Sequence, residues 1–112
     1  MSVKNKVNNI YLDYGADLSL PITVTGLDLT GFTEARMSIR KTVNDETTLL
    51  DLTTMNNKLT IVGQVITINI SGVESKLIHD GSVYDLFIVN MSGTALKLTQ
   101  GKIQLIASVT RW

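Results

Sequence analysis

Apolar and polar side chains alternate along much of this chain, and this period of two constrains the fold more than any other feature. Leu18, Leu20, Ile22 and Val24 are each separated by a polar residue or by Pro21. Successive strand residues point to opposite faces, so the pattern predicts a half-buried strand with its even residues inward. Because Pro21 has no N–H to donate to a sheet, we expect this strand at an edge or the Pro21 nitrogen facing solvent.

The same alternation recurs between turn-forming residues and predicts seven to nine short strands in all. The other predicted strands lie at about 10–14, 35–40, 49–53, 59–62, 65–70, 83–90 and 95–109. Gly63-Gln64 joins two of them with the length and glycine content of a tight hairpin. In the last strand the inward parity changes from Leu96 and Leu98 to Ile103, which predicts a bulge near Gly101.

Only one segment departs from strand periodicity. Ser71 and Glu74 have the spacing of a capping box, which predicts a short helical turn; an irregular connection is the alternative. Many short strands without a βαβ rhythm are typical of a single antiparallel β-sandwich, with a small barrel as the second possibility. The 112 residues suit one domain, which we assign to 10–112, preceded by an N-terminal arm at 1–9.

Composition excludes several classes of partner and site. Ten basic residues balance ten acidic ones, whereas binding to nucleic acid or anionic membranes usually needs a basic excess. Neither partner is therefore expected. The chain has no cysteine, which excludes disulfides and thiolate metal sites. Asn8, Asn9 and Asp13 interrupt the N-terminal region, so no secretory signal is expected, and no apolar run has the length of a membrane span.

No pattern in the chain indicates catalysis or metal binding. His79 is the only histidine, and we interpret it as a surface turn residue rather than half of a catalytic dyad. The acidic pairs Asp13/Asp17 and Asp80/Asp85 lack the concentration of oxygen ligands typical of cation loops. We therefore expect no catalytic, cofactor-binding or metal-binding residues. Arg36 and Arg40, with Lys41, are interpreted as a solvated or ion-paired face rather than a ligand site.

The candidate interface residues are Phe87, Val89 and Trp112. If Tyr84, Leu86 and Ile88 face the core, Phe87 and Val89 point outward and form an apolar patch of the kind that marks partner surfaces. The alternative is a central strand covered on both faces. Trp112 is expected to pack on the domain or on a neighbour, because an exposed indole is costly to hydrate. The N-terminal arm either orders on assembly or frays.

Several segments, in order, resemble a module of tailed-bacteriophage virion proteins. They are Asp28-Leu29-Thr30-Gly31, Ala35-Arg36-Met37-Ser38-Ile39-Arg40, Ile66-Thr67-Ile68-Asn69-Ile70, the turn from Ser71 to Leu77, Tyr84-Asp85-Leu86, Gly101-Lys102-Ile103 and Val109-Thr110-Arg111. The ordered set is similar to the immunoglobulin-like β-sandwich at the N-terminus of phage baseplate upper proteins and in short virion proteins.

This resemblance implies structural work in the virion, in multiple symmetric copies, with no catalytic residues or cofactor. The expected function is that of an adaptor or decoration subunit at a baseplate, collar or head, binding other virion proteins after synthesis in the host cytoplasm. No fibre region follows the similar segments, which places direct host recognition in doubt. The alternatives are a cytoplasmic ligand-binding or chaperone-like module and, third, an enzyme that uses His79 or a carboxylate pair.

Overall fold

The computed structural model of the protein describes residues 6–107, with side chains from residue 8 onward. This part of the chain consists almost entirely of strands, as the alternation predicts. In chain order the elements are β1 (Lys6–Val7), β2 (Ile10–Asp13), β3 (Leu18–Thr23), β4 (Phe32–Arg40), β5 (Leu50–Thr53), β6 (Leu59–Val62), β7 (Val65–Ile70), α1 (Gly72–Ser75), β8 (Ser82–Asn90) and β9 (Ala95–Ile106).

The strands form two sheets, which confirms the predicted β-sandwich. The larger sheet follows the order β1-β9-β8-β4-β5, with β2 also paired to β9, and the smaller sheet follows β3-β7-β6. Two sheets that pack face to face with a core between them are the defining arrangement of a β-sandwich. Strand pairing is antiparallel except at the N-terminus, where β1 and β2 both run parallel to β9.

The core lies between the sheets and is built from the residues whose parity predicted it. Ala35, Met37 and Ile39 of β4 are buried, and so are Leu86 and Ile88 of the adjacent β8. The smaller sheet buries Ile66, Ile68 and Ile70. Because both sheets present aliphatic side chains every second residue, their inner faces interdigitate into a largely aliphatic core.

The smaller sheet confirms two local predictions. Pro21 lies in β3, an edge strand that pairs only with β7 among the described elements. Gly63 and Gln64 form the loop of the β6–β7 hairpin, with Gly63 at a φ of 58°. A positive φ at the first loop position alone is typical of a type II′ turn, which favours glycine there.

The side chain of Gln64 also holds the connection between β3 and β4. Its amide nitrogen donates to the carbonyl oxygens of Val24 (2.9 Å) and Leu27 (2.7 Å), and its oxygen accepts from the Leu29 N–H (2.9 Å). The neighbouring Asp28 carboxylate accepts from the Thr30 N–H. Hydrogen bonds from the backbone and the side chain of Thr30 lower the pKa of Asp28. Leu29 is thereby fixed in the core, where it is 3% exposed.

The change of parity in β9 occurs earlier than the predicted position near Gly101. The register shifts where Leu86 faces Thr99 and Phe87 faces Lys97, which leaves Leu98 as the additional residue. Leu98 and Thr99 are both buried although they are consecutive. A bulge places two residues of one strand opposite one residue of its partner. Here it turns Leu98 inward, and from Thr99 onward the odd-numbered residues of β9 face the core.

The structure also corrects the N-terminal boundary, because residues 6–9 belong to the sandwich rather than to a separate arm. Strand β1 pairs with β9, and the Asn8 N–H donates to the Gln100 carbonyl oxygen at 2.8 Å. The Asn9 side chain accepts from the Lys102 N–H at 3.2 Å. Asn8 crosses directly over Gly101, where a Cβ atom would meet the Asn8 carbonyl group.

The predicted helical turn is confirmed as α1. The Ser71 hydroxyl accepts from the Glu74 N–H (3.1 Å), and the Glu74 carboxylate accepts from the Ser71 N–H (3.0 Å). Lys58 forms an ion pair with Glu74. Burial acts to raise the pKa of Glu74, but the hydrogen bonds from Lys58 and Ser71 outweigh it, and the pKa is lowered.

Candidate protein-binding face

The outer face of the larger sheet carries the predicted interface residues. We use the name outer face for the side chains of β4, β8 and β9 that point away from the smaller sheet. In register they form four rows across the three strands: Arg40–Val83–Lys102, Ser38–Asp85–Gln100, Arg36–Phe87–Lys97 and Glu34–Val89–Ala95. Side chains opposite each other in such rows lie within contact distance.

Phe87 and Val89 lie on this face of the central strand β8, and both are half-buried. The Lys97 ammonium lies 5.6 Å from the centroid of the Phe87 ring, within the range of a cation–π interaction. On the other side of Phe87, Arg36 forms an ion pair with Glu34 (2.6 Å). The two apolar side chains are therefore flanked by charged groups, which cover part of their surface and leave the rest to solvent.

A groove of about 590 Å³ lies next to Phe87 on the same face. Val83, Asp85 and Lys102 belong to its lining on β8 and β9. Val43, from the connection between β4 and β5, lines one side, and Asn9, from the N-terminal segment, lines another. The groove is thus bounded by segments that are distant in sequence and that meet only because β4 and β9 both flank β8.

The groove holds more positive than negative charge. Arg40, Lys97 and Lys102 line it together with the single carboxylate of Asp85. Among residues 8–107, no carboxylate lies within ion-pairing distance of any of these three cations. Two of the cations bond to neutral groups instead: Arg40 donates to the Asp45 carbonyl oxygen (2.6 Å), and Lys97 donates to the Gln100 side chain (3.1 Å).

The described structure also places the alternative site candidates that the sequence offers. His79 is exposed, and its imidazole forms no hydrogen bond within the described part of the chain. The Asp80 carboxylate accepts from the Leu105 N–H (2.8 Å), whereas Asp85 lies on the outer face. Asp17 accepts from the Gly72 N–H at 2.6 Å. Residues 8–107 contain no group of three or more histidine or acidic side chains placed to hold a metal ion.

Trp112, the third predicted interface residue, lies outside the described residues. Within residues 6–107, no helix is long and apolar enough to cross a membrane. The fold and the outer face together define a β-sandwich with a mixed apolar and cationic face. No model of a known protein family matches the chain, and no curated protein matches its sequence.

Sequence reasoning identified Phe87 and Val89 but missed the groove beside them. Val83 and Asp85 share the outward parity of Phe87, so their direction was predictable from alternation. The groove residues contributed by β4 and β9 were not predictable, because their positions depend on the order and register of strands far apart in sequence. Lys97 and Lys102 differ by an odd number of residues, and only the bulge at Leu98 brings both to one face.

Proposed function

We propose that the chain is a non-enzymatic structural subunit of a tailed-bacteriophage virion that binds neighbouring protein subunits through its outer face. The observation that carries the proposal is the Phe87–Val89 pair on the central strand of a sheet face whose flanking strands carry charged side chains. An apolar centre with a polar rim is the usual anatomy of a protein–protein interface. The ordered resemblance of segments from Asp28 to Arg111 supports the assignment to a virion.

The overall charge is also compatible with assembly in many copies. Ten basic and ten acidic residues give a formal net charge of zero. Identical subunits packed in a symmetric array repel each other least when their net charge is small. An array can hold weakly binding copies firmly, because a partner engaged at several sites dissociates only when all of them release.

The test is the replacement Phe87→Asp in the gene of a phage that carries this protein. We expect the purified variant to keep its β-rich circular dichroism spectrum, because Phe87 is not a core residue, and to be lost from purified virions in quantitative mass spectrometry. A carboxylate at the interface centre has to be desolvated on docking, which weakens association strongly.

The matched control is Val62→Asp, which introduces the same charge on the smaller sheet. Val62 is 74% exposed, so this variant should fold and enter virions at the level of the unmodified protein. Equal incorporation of the Phe87 variant and the unmodified protein would exclude the outer face as the docking surface. Absence of the unmodified protein from virions would exclude the structural function itself.

A second function, that of a ligand-binding module, is favoured by the groove. Its volume of about 590 Å³ falls in the range of small-molecule sites, which is about 300–1,000 Å³. Such sites usually carry only a few polar groups, whereas four charged side chains line this groove, namely Arg40, Lys97, Lys102 and Asp85, so protein docking ranks first. A ligand-binding module predicts a free monomer whose melting temperature rises with a small anion.

A further inference from the structure

We infer that the groove between Arg40 and Lys102 binds an acidic, extended polypeptide segment of the partner subunit. This inference rests on the proposed function, since it takes the partner to be a protein. It adds the chemical nature of the partner segment and a second contact site next to Phe87 and Val89.

The charge of the groove is the first argument. Three cations and one carboxylate line it, although the whole chain has equal numbers of acidic and basic residues. The excess of positive charge is therefore local. Arg40, Lys97 and Lys102 have no carboxylate partner among residues 8–107, so a carboxylate brought by another chain does not have to displace an existing ion pair.

The orientation of Arg40 is the second argument. One guanidinium nitrogen is held by the Asp45 carbonyl oxygen at 2.6 Å, which fixes the side chain from the connection that also carries Val43. A guanidinium has five N–H donors in one plane, so the remaining donors stay available. A carboxylate can then be bound in the two-bond geometry that favours arginine, with little further loss of side-chain entropy.

The shape and the apolar surroundings are the third argument. Val83 lies in the lining between Arg40 and Lys102, and Val43 is 78% exposed at the side of the groove. Phe87 continues the apolar surface one row beyond Asp85. An extended segment presents side chains alternately to two sides, so a segment that alternates acidic and aliphatic residues matches both kinds of contact.

A nucleic-acid occupant fits less well. Phosphate-backbone binding depends on many neutralising cations, and this groove has three, together with the Asp85 carboxylate. A phosphate chain would bring further negative charge against Asp85. A polypeptide can place a backbone N–H there instead, because its carboxylates are separated by neutral peptide groups.

The experiment is a titration of the full chain, labelled with ¹⁵N, observed through its backbone amide resonances. The probe is a synthetic peptide of alternating glutamate and valine, about ten residues long and blocked at both ends. We expect saturable shifts at Val83, Asp85 and Lys102, and an affinity that falls at least tenfold between about 0.05 M and 0.3 M salt as screening increases. The same peptide with glutamine in place of glutamate should produce no saturable shifts.

Three variants test the assignment of charges. Arg40→Gln combined with Lys102→Gln should weaken binding by about tenfold or more, because two charge-assisted hydrogen bonds are lost. Lys41→Gln is the control, since Lys41 is exposed and outside the groove, and it should change the affinity less than about twofold. Asp85→Asn removes the like charge and should strengthen binding of the acidic peptide.

Each outcome decides for or against the inference. Shifts confined to other surfaces, equal weakening by the Lys41 and groove variants, or weaker binding by Asp85→Asn would overturn it. Saturation of the same resonances by inorganic phosphate or a thymidine oligonucleotide, more tightly than by the peptide, would replace it with a phosphate site. If peptide binding fails while Phe87→Asp still abolishes incorporation into virions, the groove inference is wrong and the proposed function stands. If the peptide binds as expected while Phe87→Asp enters virions normally, docking through Phe87 and Val89 is excluded and the groove remains a site for acidic polypeptide.

Discussion

The Tyr84 hydroxyl donates a hydrogen bond of 2.6 Å to the Asn8 carbonyl oxygen, across 76 residues of sequence. Tyr84 is 4% exposed and lies in the central strand β8, directly before Asp85 of the groove. Asn8 is also fixed to β9 through its own N–H and its side chain. This hydrogen bond therefore joins the N-terminal segment at Asn8 to β8, the central strand of the outer face.

Removing this hydroxyl should loosen the N-terminal strands. Tyr84→Phe keeps the ring and deletes the bond to Asn8, so we expect the free energy of unfolding to fall by about 1 kcal/mol. Hydrogen exchange at the Asn8 amide should become faster, whereas exchange in β7 should follow only the global change. Tyr11→Phe is the control, since Tyr11 is 60% exposed. Equal effects of the two substitutions would exclude a role for the Tyr84–Asn8 bond.

The same residue should make stability depend on pH in alkaline solution. Burial raises the pKa of Tyr84 above its ordinary value of 10.0, and a hydrogen bond with Thr99 only partly offsets this. The folded protein thus holds the phenolic proton more tightly than the unfolded chain. The resulting stability is fully present below the unfolded pKa and is lost as the pH rises through the folded pKa.

The unmodified protein should therefore lose more stability above about pH 10 than the Tyr84→Phe variant does. Urea unfolding of both proteins at a series of alkaline pH values measures the difference, and other titrating groups cancel in the comparison. A difference between the two proteins that stays constant over this range would show that the Tyr84 pKa is not raised by folding.

Gly101 is the point at which the N-terminal segment crosses β9, and it should not tolerate a side chain. In Gly101→Ala the new methyl group would lie 2.7 Å from the Asn8 carbonyl carbon and also against the Asn8 carbonyl oxygen. Both are backbone atoms, so they cannot rotate away as a side chain can. We expect a loss of about 1–3 kcal/mol, as for other overpacking substitutions, measured by urea unfolding. Protection of the Asn8 and Tyr14 amides, which bond to the Gln100 and Ile106 carbonyl oxygens, should be lost first.

Gly93→Ala separates this steric effect from backbone strain. Gly93 has a φ of 86°, and no atom lies within 4 Å of the place that an alanine methyl group would take, so only the strained φ is tested. This variant should lose about 1 kcal/mol and keep the Asn8 amide protected. Unchanged Asn8 protection in Gly101→Ala would show that the N-terminal segment does not depend on this close approach.

Gln64 should be the most sensitive polar residue of the smaller sheet. Its side chain forms three hydrogen bonds to the backbone between Val24 and Leu29. Gln64→Ala leaves these backbone groups without their partner, so we expect a loss of about 2–3 kcal/mol in urea unfolding. Gln104→Ala is the matched control, because Gln104 is exposed in β9, and its effect should stay within about 0.5 kcal/mol.

Gln64→Glu distinguishes hydrogen bonding from packing at this position. An ionised carboxylate can accept from Leu29 but has no proton to donate to the Val24 and Leu27 carbonyl oxygens, so the variant should be less stable than the unmodified protein at neutral pH. Its stability should recover in part in acid, because the protonated side chain has one O–H to donate to one of these two carbonyl oxygens. A variant with no such recovery would indicate that the side chain acts through packing alone.

The alternation of residues predicted the elements that depend on local pattern. Leu86 and Ile88 are in the core, Pro21 is in an edge strand, and Ser71 caps a helix, because each of these features depends on neighbours a few residues away. The bulge was placed near Gly101 instead of at Leu98, since alternation shows that parity changes but not where the partner strand omits a residue. Trp112 remains untested, outside the described residues.

The candidate site was less predictable than the strands that carry it. Phe87 and Val89 could be named from parity, but their half-buried state depends on Arg36 and Lys97 in the neighbouring strands. The sequence places Arg40 on a solvated or ion-paired face, and the structure adds that Arg40 lines a groove with Lys102. Arg40 and Lys102 are far apart in sequence, so alternation could not predict that they share a groove. They do so because both lie opposite Val83 in register.

The sequence by itself determined that this protein is built from half-buried strands, because a period of two places alternate side chains on opposite faces, and it favoured a sandwich over a small barrel. It also identified core residues of the regular strands, such as Met37, Ile68 and Leu86. The tertiary structure decided the strand order, the parallel pairing of the N-terminal segment with β9 and the juxtaposition of Arg40, Asp85 and Lys102. Those features depend on hydrogen bonds and contacts between segments far apart in the chain, and local alternation carries no information about which strands become neighbours.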